Sequence, residues 1–304
     1  MSKPAVAIVG CGVIGESWSA LFLAHGYEVH AWDPDPRTRE RLAERLERPL
    51  TQLAALYPTL QTRGPLRIFD TLAEAVARAD LIQENAPERV PLKRALYAEI
   101  ERAAPADAII ASSTSALTWS QLTEEMRQPG RLITAHPFNP PHLIPLVELF
   151  GTDQAVLGRA DAIYRDIQRT TVSLKKEAIG HLANRLASAL WREAVYLVAE
   201  GIANVADIDA ALVNGPGLRW SVMGAHMVYH LAGGEGGIEH YLDHLGPSQQ
   251  RRWQALGSPQ LTPEVCAKLV AGIAEEAAGR SIAELEQARD DLLIRLLQAR
   301  RDAV

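Results

Sequence analysis

A strand, a glycine turn, a helix and a second strand closed by an acid fill the chain up to Asp33, and that order restricts its possible folds more than any other stretch. Ala5–Val9 is an apolar run rich in β-branched residues that stops at a glycine, the pattern of a buried strand. Gly10-Cys11-Gly12-Val13-Ile14-Gly15 follows at once. Glu16–His25 then reads as a helix, with Trp18, Leu21 and Phe22 on one side and Gly26 as its stop. Tyr27–Trp32 is a second strand, ended by Asp33. Glycines at this spacing are common, but between a strand and a helix, with an acid closing the next strand, they have a mechanical reading. Gly10 permits a tight turn. Gly12 lets a pyrophosphate approach the backbone over the positive end of the helix dipole, and Gly15 lets helix and strand pack closely. Val13 and Ile14 fall in the same first turn and join the expected cofactor site. Asp33 suits the adenosine ribose hydroxyls and repels a 2′-phosphate, so the expected cofactor is NAD rather than NADP.

The alternation continues. Asp35–Leu56 reads as one charged amphipathic helix, Leu66–Phe69 as a strand, Thr71–Ala79 as a helix and Leu81–Ile82 as a strand. Gln83–Glu88 is then a loop at a strand's C-terminal end, the edge where ligands sit in an open parallel sheet. A helix at Leu92–Ala103 and a strand at Ala108–Ala111 lead into Ser112-Ser113-Thr114-Ser115. One of these hydroxyls is expected to cap the helix that follows, leaving the others free to meet a ligand.

The chemistry is expected between Ile133 and Leu149. His136 follows an apolar run, Arg131–Ala135, that reads as a buried strand, and Pro140-Pro141 forces an extended turn. The apolar run Leu143–Leu149 carries one acid, Glu148. A carboxylate there is costly to bury without a partner, and an imidazole is a natural one, since a carboxylate orients a histidine that acts as a general base. The competing reading is that the two are unrelated residues at strand ends.

After Leu149 the pattern changes. Asp153–Arg165 reads as a helix and Thr171–Leu174 as a last strand, and beyond His181 strand signals vanish. Asn184–Ala199 is apolar on nearly every side, as expected of a helix buried among helices or at a subunit interface. Gly215-Pro216-Gly217 and the glycines at 233–237 break the chain on either side of Leu218–Leu231, and Ser281 with Glu284 forms a capping box for a helix to about Gln298. The expectation is an α/β, doubly wound sheet of Rossmann type over residues 1–178 and an all-α domain over 179–304.

Composition removes several functions. The net charge of -6 argues against a nucleic-acid or anionic-membrane partner. The apolar run at Ala5–Val9 is too short for a signal-peptide core, and no stretch approaches a membrane span. Cys11 and Cys266 are far apart and match no metal spacing, so neither a metal site nor a disulfide framework is expected, and the cytoplasm fits.

Taken together, GCGVIG, Pro87-Glu88-Arg89, SSTSAL, HPFNPPHLIPLVEL, ANRL around Asn184, GLRW at Gly217–Trp220 and AGRSIAELE resemble the 3-hydroxyacyl-CoA dehydrogenase family over nearly the whole chain. The likeness is strongest to the branch containing L-carnitine dehydrogenase and lambda-crystallin. It implies that His136 is the catalytic base and Glu148 its orienting carboxylate, with Ser115 and Asn184 hydrogen-bonding the reacting oxygen. It implies too that Ala86, Pro87, Glu88, Lys93 and Ser113 line the nicotinamide side of the cofactor.

The implied reaction is oxidation of a 3-hydroxy group by NAD, on a small free acid such as carnitine or a sugar acid. Phe138, Arg219 and Trp220 join Ser115 and Asn184 as substrate contacts: Arg219 for a carboxylate, aromatic faces for a trimethylammonium group. Tyr229 and Glu235 are further candidates, against which packing within the helical domain is the plainer reading of Trp220 and Tyr229. Two departures from carnitine enzymes stand out: His142 replaces an aromatic, and a polar stretch, Ser248–Arg252, replaces a tryptophan-rich one. A CoA-thioester substrate is the first alternative, disfavoured because Asp35–Arg67 looks short and Leu50–Gly64 carries only Arg63 as a basic residue. A crystallin-like structural role is the second. The apolar Asn184–Ala199 helix suggests a homodimer through the helical domain.

Overall fold

A computed structural model describes residues 3–60 and 62–302. The Met1-Ser2 start of the chain, part of the signal-peptide reading, lies outside the described residues. Eight strands form one sheet: β1 (Ala5–Val9), β2 (Glu28–Trp32), β3 (Leu66–Ile68), β4 (Leu81–Glu84), β5 (Ile109–Ser112), β6 (Leu132–Pro137), β7 (Leu146–Phe150) and β8 (Thr170–Ser173). Their spatial order is β3-β2-β1-β4-β5-β6-β7-β8, so the chain turns back on itself beside β1, the crevice where doubly wound sheets bind ligands. Strands β1 to β6 pair in parallel, β6 and β7 antiparallel, β7 and β8 parallel again. Helices α1 (Val13–Ala24), α2 (Pro36–Arg45), α3 (Glu47–Leu56), α4 (Leu72–Val76), α5 (Val90–Ala103), α6 (Trp119–Thr123) and α7 (Gln154–Asp166) accompany the sheet.

The central strands are nearly all apolar because both faces are covered. Val6, Ile8, Val29 and Leu81 pack with Trp18, Phe22 and Tyr164 in one core cluster. Ala7, Val9, Ile82 and Ile110 pack with Tyr97 and Ile100 in another.

The chain divides into two compact units, 1–185 with Leu292–Gln298 and Leu186–Asp291 with 299–304. Among the described residues the second holds helices and their connections: most of α8 (Ala183–Ala199), then α9 (Val205–Asn214), α10 (Pro216–Trp220), α11 (Ala225–Ala232), α12 (Gly237–Ala255), α13 (Pro263–Ala277) and the part of α14 (Ile282–Asp302) outside Leu292–Gln298. Ser281 and Glu284 form the expected capping box, the serine amide donating to the glutamate at 2.8 Å and the Glu284 amide to the serine hydroxyl at 3.3 Å.

Several boundaries differ from expectation, each for a local reason. Asp35–Leu56 is two helices, because Pro49 cannot donate to the carbonyl of Arg45 and its ring crowds that oxygen. Pro216 and Gly217, read as a break, instead open a short helix, Pro216–Trp220, because a proline at the first helical position loses no hydrogen bond. Gln83 and Glu84 belong to β4 and are fully buried, and His136 lies inside β6 rather than after it. Helix α8 is not buried all round: Val195 and Val198 are, whereas Leu186 is 74% and Trp191 56% exposed.

Gly15 sits where a β-carbon would meet the Gly10 carbonyl oxygen at 1.9 Å, a contact that no side-chain adjustment can relieve. Gly15→Ala should therefore shift the turn that opens the sheet and lower stability by about 1–3 kcal/mol, the usual cost of forcing an extra carbon into close packing. Urea denaturation of the purified variant checks this, and an unchanged midpoint would refute the packing argument.

Candidate active site

Parallel pairing brings the ends of β1, β4, β5 and β6 to one edge of the sheet. At the first, Gly10 has a φ of 91° and lies so close to Asn85 that a β-carbon would sit 3.1 Å from the Asn85 backbone. Gly12 has open space where its β-carbon would be, and it starts α1 without a side-chain cap. Uncapped amides at a helix N-terminus beside open space suit a pyrophosphate.

Two cavities flank the loop after β4. One, of about 590 Å³, is lined by Gly10, Gly12, Trp32, Asp33 and Leu92; the other, of about 410 Å³, by Ile14, Glu88, Ser113, Ser115, His136 and Asn184. Asn85, Ala86 and Pro87 line both, so an extended two-ended molecule crossing this loop fits the arrangement. Asp33 accepts from the amides of Cys11 (2.8 Å) and Asp35 (2.9 Å), and a carboxylate so bonded keeps lone pairs for a ribose. The Cys11 thiol faces the Trp32 carbonyl; burial, reinforced by Asp33 and Glu16, pushes it up to about 12.

The hydroxyl run after β5 serves the β4 loop instead of the next helix. Ser112 donates to Glu84, Ser113 to Asn85, and Thr114 and Ser115 to Glu88, while the cap of α6 is Thr118. Burial raises the proton affinity of Glu88, but the bonds from Ser115 and Thr114, together with the charge of Lys93, outweigh it and hold the carboxyl below its ordinary range. Glu84 is fully buried beneath the loop. It takes Lys93 and the Ala86 amide on one oxygen, both at 2.6 Å, and Tyr97 and Ser112 on the other. Lys93, expected beside the nicotinamide, is thus buried under the loop rather than exposed in the cleft, and its remaining reach is to the Ala86 carbonyl at 2.9 Å.

His136 and Glu148 stand directly opposite each other on antiparallel strands β6 and β7, which turns a separation of twelve residues into a contact. His136 Nδ1 lies 2.8 Å from Glu148 Oε2, with both side chains buried. The other carboxylate oxygen accepts from the amides of Leu182 (2.7 Å) and Ala183 (2.9 Å) at the start of α8. Burial acts to raise the Glu148 carboxyl, but the bonds from His136, Ala183 and Leu182 outweigh it and leave it below the ordinary value of 4.5. An ionised acceptor at Nδ1 fixes the proton there and leaves Nε2 as the basic nitrogen. Nε2 points to the cleft side, 3.4 Å from the Asn184 amide.

Ser115, His136, Phe138 and Asn184 therefore meet at one cavity, whereas Arg219 and Trp220 belong to the second unit, in α10. Tyr229 packs against Tyr241 at 5.0 Å within that unit. His142 is buried between Ser17 (3.0 Å) and Gln52 (2.7 Å) and is not among the residues lining this cavity. Pro137, Asn139 and Asn85 line the cavity without having been singled out by sequence, and His181 stacks on His136; only Asn85, at a strand's C-terminal edge, carried a local signal.

Comparison with known proteins shows the family. A family model described as 3-hydroxyacyl-CoA dehydrogenase, NAD binding domain, matches residues 5–178, and its C-terminal domain counterpart matches residues 180–272. An L-carnitine dehydrogenase of Nocardiopsis dassonvillei is 47% identical, the match covering 97% of this chain and 91% of the relative. Another, of Streptomyces coelicolor, is 46% identical over 97% and 94%. Among solved structures, 5-formyl-3-hydroxy-2-methylpyridine 4-carboxylic acid 5-dehydrogenase, described as an NAD+-dependent dismutase, has a TM-score of 0.84 at 28% identity. That match covers 98% of this chain and 99% of the other.

A depressed carboxyl stabilises the fold fully above its unfolded value and loses that contribution as pH falls through its folded value. Glu148→Gln, neutral at every pH, should be less stable than the parent by about 1–3 kcal/mol at neutral pH, the usual worth of hydrogen bonds to a buried charge. The gap should narrow as pH falls below 4.5. Urea midpoints across that range measure it, and a gap independent of pH would show that the carboxylate charge is not what α8 and His136 bind.

Proposed function

The chain belongs to the 3-hydroxyacyl-CoA dehydrogenase family, and we propose that it oxidises the 3-hydroxyl group of a small free L-3-hydroxy acid with NAD, L-carnitine being the first candidate. The observation that carries this reading is the buried His136–Glu148 pair with Nε2 open to the same cavity as Ser115 and Asn184. When bound, NAD supplies the acceptor for the hydride that leaves the carbinol carbon. His136 Nε2 takes the hydroxyl proton, and Glu148 stabilises the imidazolium that results. The Asn184 amide donates to the oxygen as it becomes a carbonyl. Glu88 accepts from both the amide and the hydroxyl of Ser115, so the hydroxyl reaches the same oxygen by turning its proton away from Glu88 while the amide bond keeps Ser115 in place.

The cavity also bears on substrate class. Among the described residues that line it, none is a lysine or arginine, and Glu88 is the acid. That suits a substrate with a cationic end better than a polyanionic CoA thioester, and Phe138 offers an aromatic face of the kind quaternary ammonium groups seek. The identity to L-carnitine dehydrogenases supports the same choice.

A homodimer through the helical unit is the assembly proposed. Leu186, Trp191, Val213, Val222 and Val270 are each more than half exposed there, an apolar surface that a second copy would cover.

NADH absorbance with L-carnitine, other small 3-hydroxy acids and 3-hydroxybutyryl-CoA tests the activity: the free acids should respond and the thioester poorly. Response to thioesters alone would move the substrate class, and no response to any would favour a structural role. His136→Ala should lose roughly 10²- to 10⁴-fold in turnover while still binding NADH, the range for removal of a general base. Sedimentation at micromolar concentration should give a dimer, and a monomer would remove that part of the reading.

A further inference from the structure

The reaction outlined above uses His136 and leaves a second buried imidazole beside it without a task. His181 precedes α8 with a φ of 51°, directly after Gly180 at 78°. A side chain bearing a β-carbon meets a steric penalty in this region that glycine avoids, so a histidine here points to a use for the ring. Its ring lies nearly parallel to that of His136, with centroids 4.7 Å apart and planes 18° from each other. It is 3% exposed. Nε2 is 3.3 Å from the Thr134 hydroxyl, and Nδ1 is buried without a hydrogen bond of acceptable geometry.

The two rings are not equivalent. A proton arriving on His136 finds a carboxylate at 2.8 Å, whereas Nε2 of His181 faces a hydroxyl. Burial pushes the His181 imidazole below its ordinary range, and His136 pushes the same way. Glu148, the Ser115 backbone and Glu88 pull in the opposite direction with less effect. Glu177 shares a small hollow with His181 but is held by the amide and hydroxyl of Ser120. Two cations at this ring spacing would repel in a water-poor site.

We propose that His181 is a positioning residue for the proton acceptor: a neutral imidazole that lies flat on His136, fixes the plane of that ring, and leaves His136 as the member of the pair that takes the proton. Its effect on turnover rests on the dehydrogenase reading, whereas the protonation of the pair does not. With NADH bound, the ring signals of the two histidines can be followed by NMR between about pH 5 and 8, assigned by H136N and H181F. The His181 ring should not titrate in that range; its titration there overturns the proposal.

Kinetics supply the second arm. H181F keeps a flat ring without nitrogens and should stay within about threefold of the parent in kcat, with the same acid limb. H181A removes the ring and should lose about tenfold or more in kcat, with KM and NADH affinity within about twofold. Parental kcat in H181A, or H181F as poor as H181A, overturns the stacking role. If the parent oxidises no 3-hydroxy acid, the dehydrogenase reading fails, and the titration still decides whether the His181 ring stays neutral.

Discussion

Glu148 accepts hydrogen bonds from two directions, with His136 on one oxygen and the amides of Leu182 and Ala183 on the other. A buried carboxylate is tolerated when its lone pairs are occupied in this way. Because one carboxylate serves both, the orientation of the imidazole and the starting point of α8 cannot vary independently. Asn184, the second residue of that helix, is placed by the same anchor. The anchor requires the single reversal of direction in the sheet. Had β7 continued parallel to β6, the two residues could not face each other across a connection as short as 138–145.

A second buried acid at the same edge is used differently. Glu84 is satisfied by Lys93, the Ala86 amide, Tyr97 and Ser112, and none of these bonds opens on the cleft. This network stiffens the loop from Asn85 to Glu88, which lines both cavities. Ser113 adds a link from below, donating to Asn85 and accepting from Trp18. The cleft thus has a rigid floor formed by a loop, which is possible because a fully bonded charge beneath replaces regular secondary structure.

Much of this was legible in the chain because its signals are local. The unit from Ala5 to Asp33 states its strands, turn and helix through periodicity and glycine positions, and the α/β order and the all-helical end follow the same kind of pattern. His136 and Glu148 were suggested by an acid in an apolar run. What was not legible depends on partners far away in sequence. Resemblance places Lys93 beside the nicotinamide, and its ion pair with Glu84, nine residues earlier and buried beneath the loop, has no local signal. His181 reads as a polar residue after a glycine, and its stacking on His136 exists only once β6 and the start of α8 converge. Helices α12 and α13 carried no clear signal: the glycines at 233–237 read as a break, and a proline within each helix weakens its pattern. Pro263 lies in the first turn of α13, where its missing N–H costs nothing, and Pro247 is carried inside α12.

The thiol within the glycine turn has a practical side. Cys11 is buried against the Trp32 carbonyl and held in its protonated form, so it is a poor nucleophile at neutral pH, and its residue cannot shift without disturbing the amide that binds Asp33. Cys266 is exposed on α13. Maleimide chemistry on the folded protein is therefore directed to one position in the helical unit, which makes the unmodified chain a ready host for a single fluorophore or spin label.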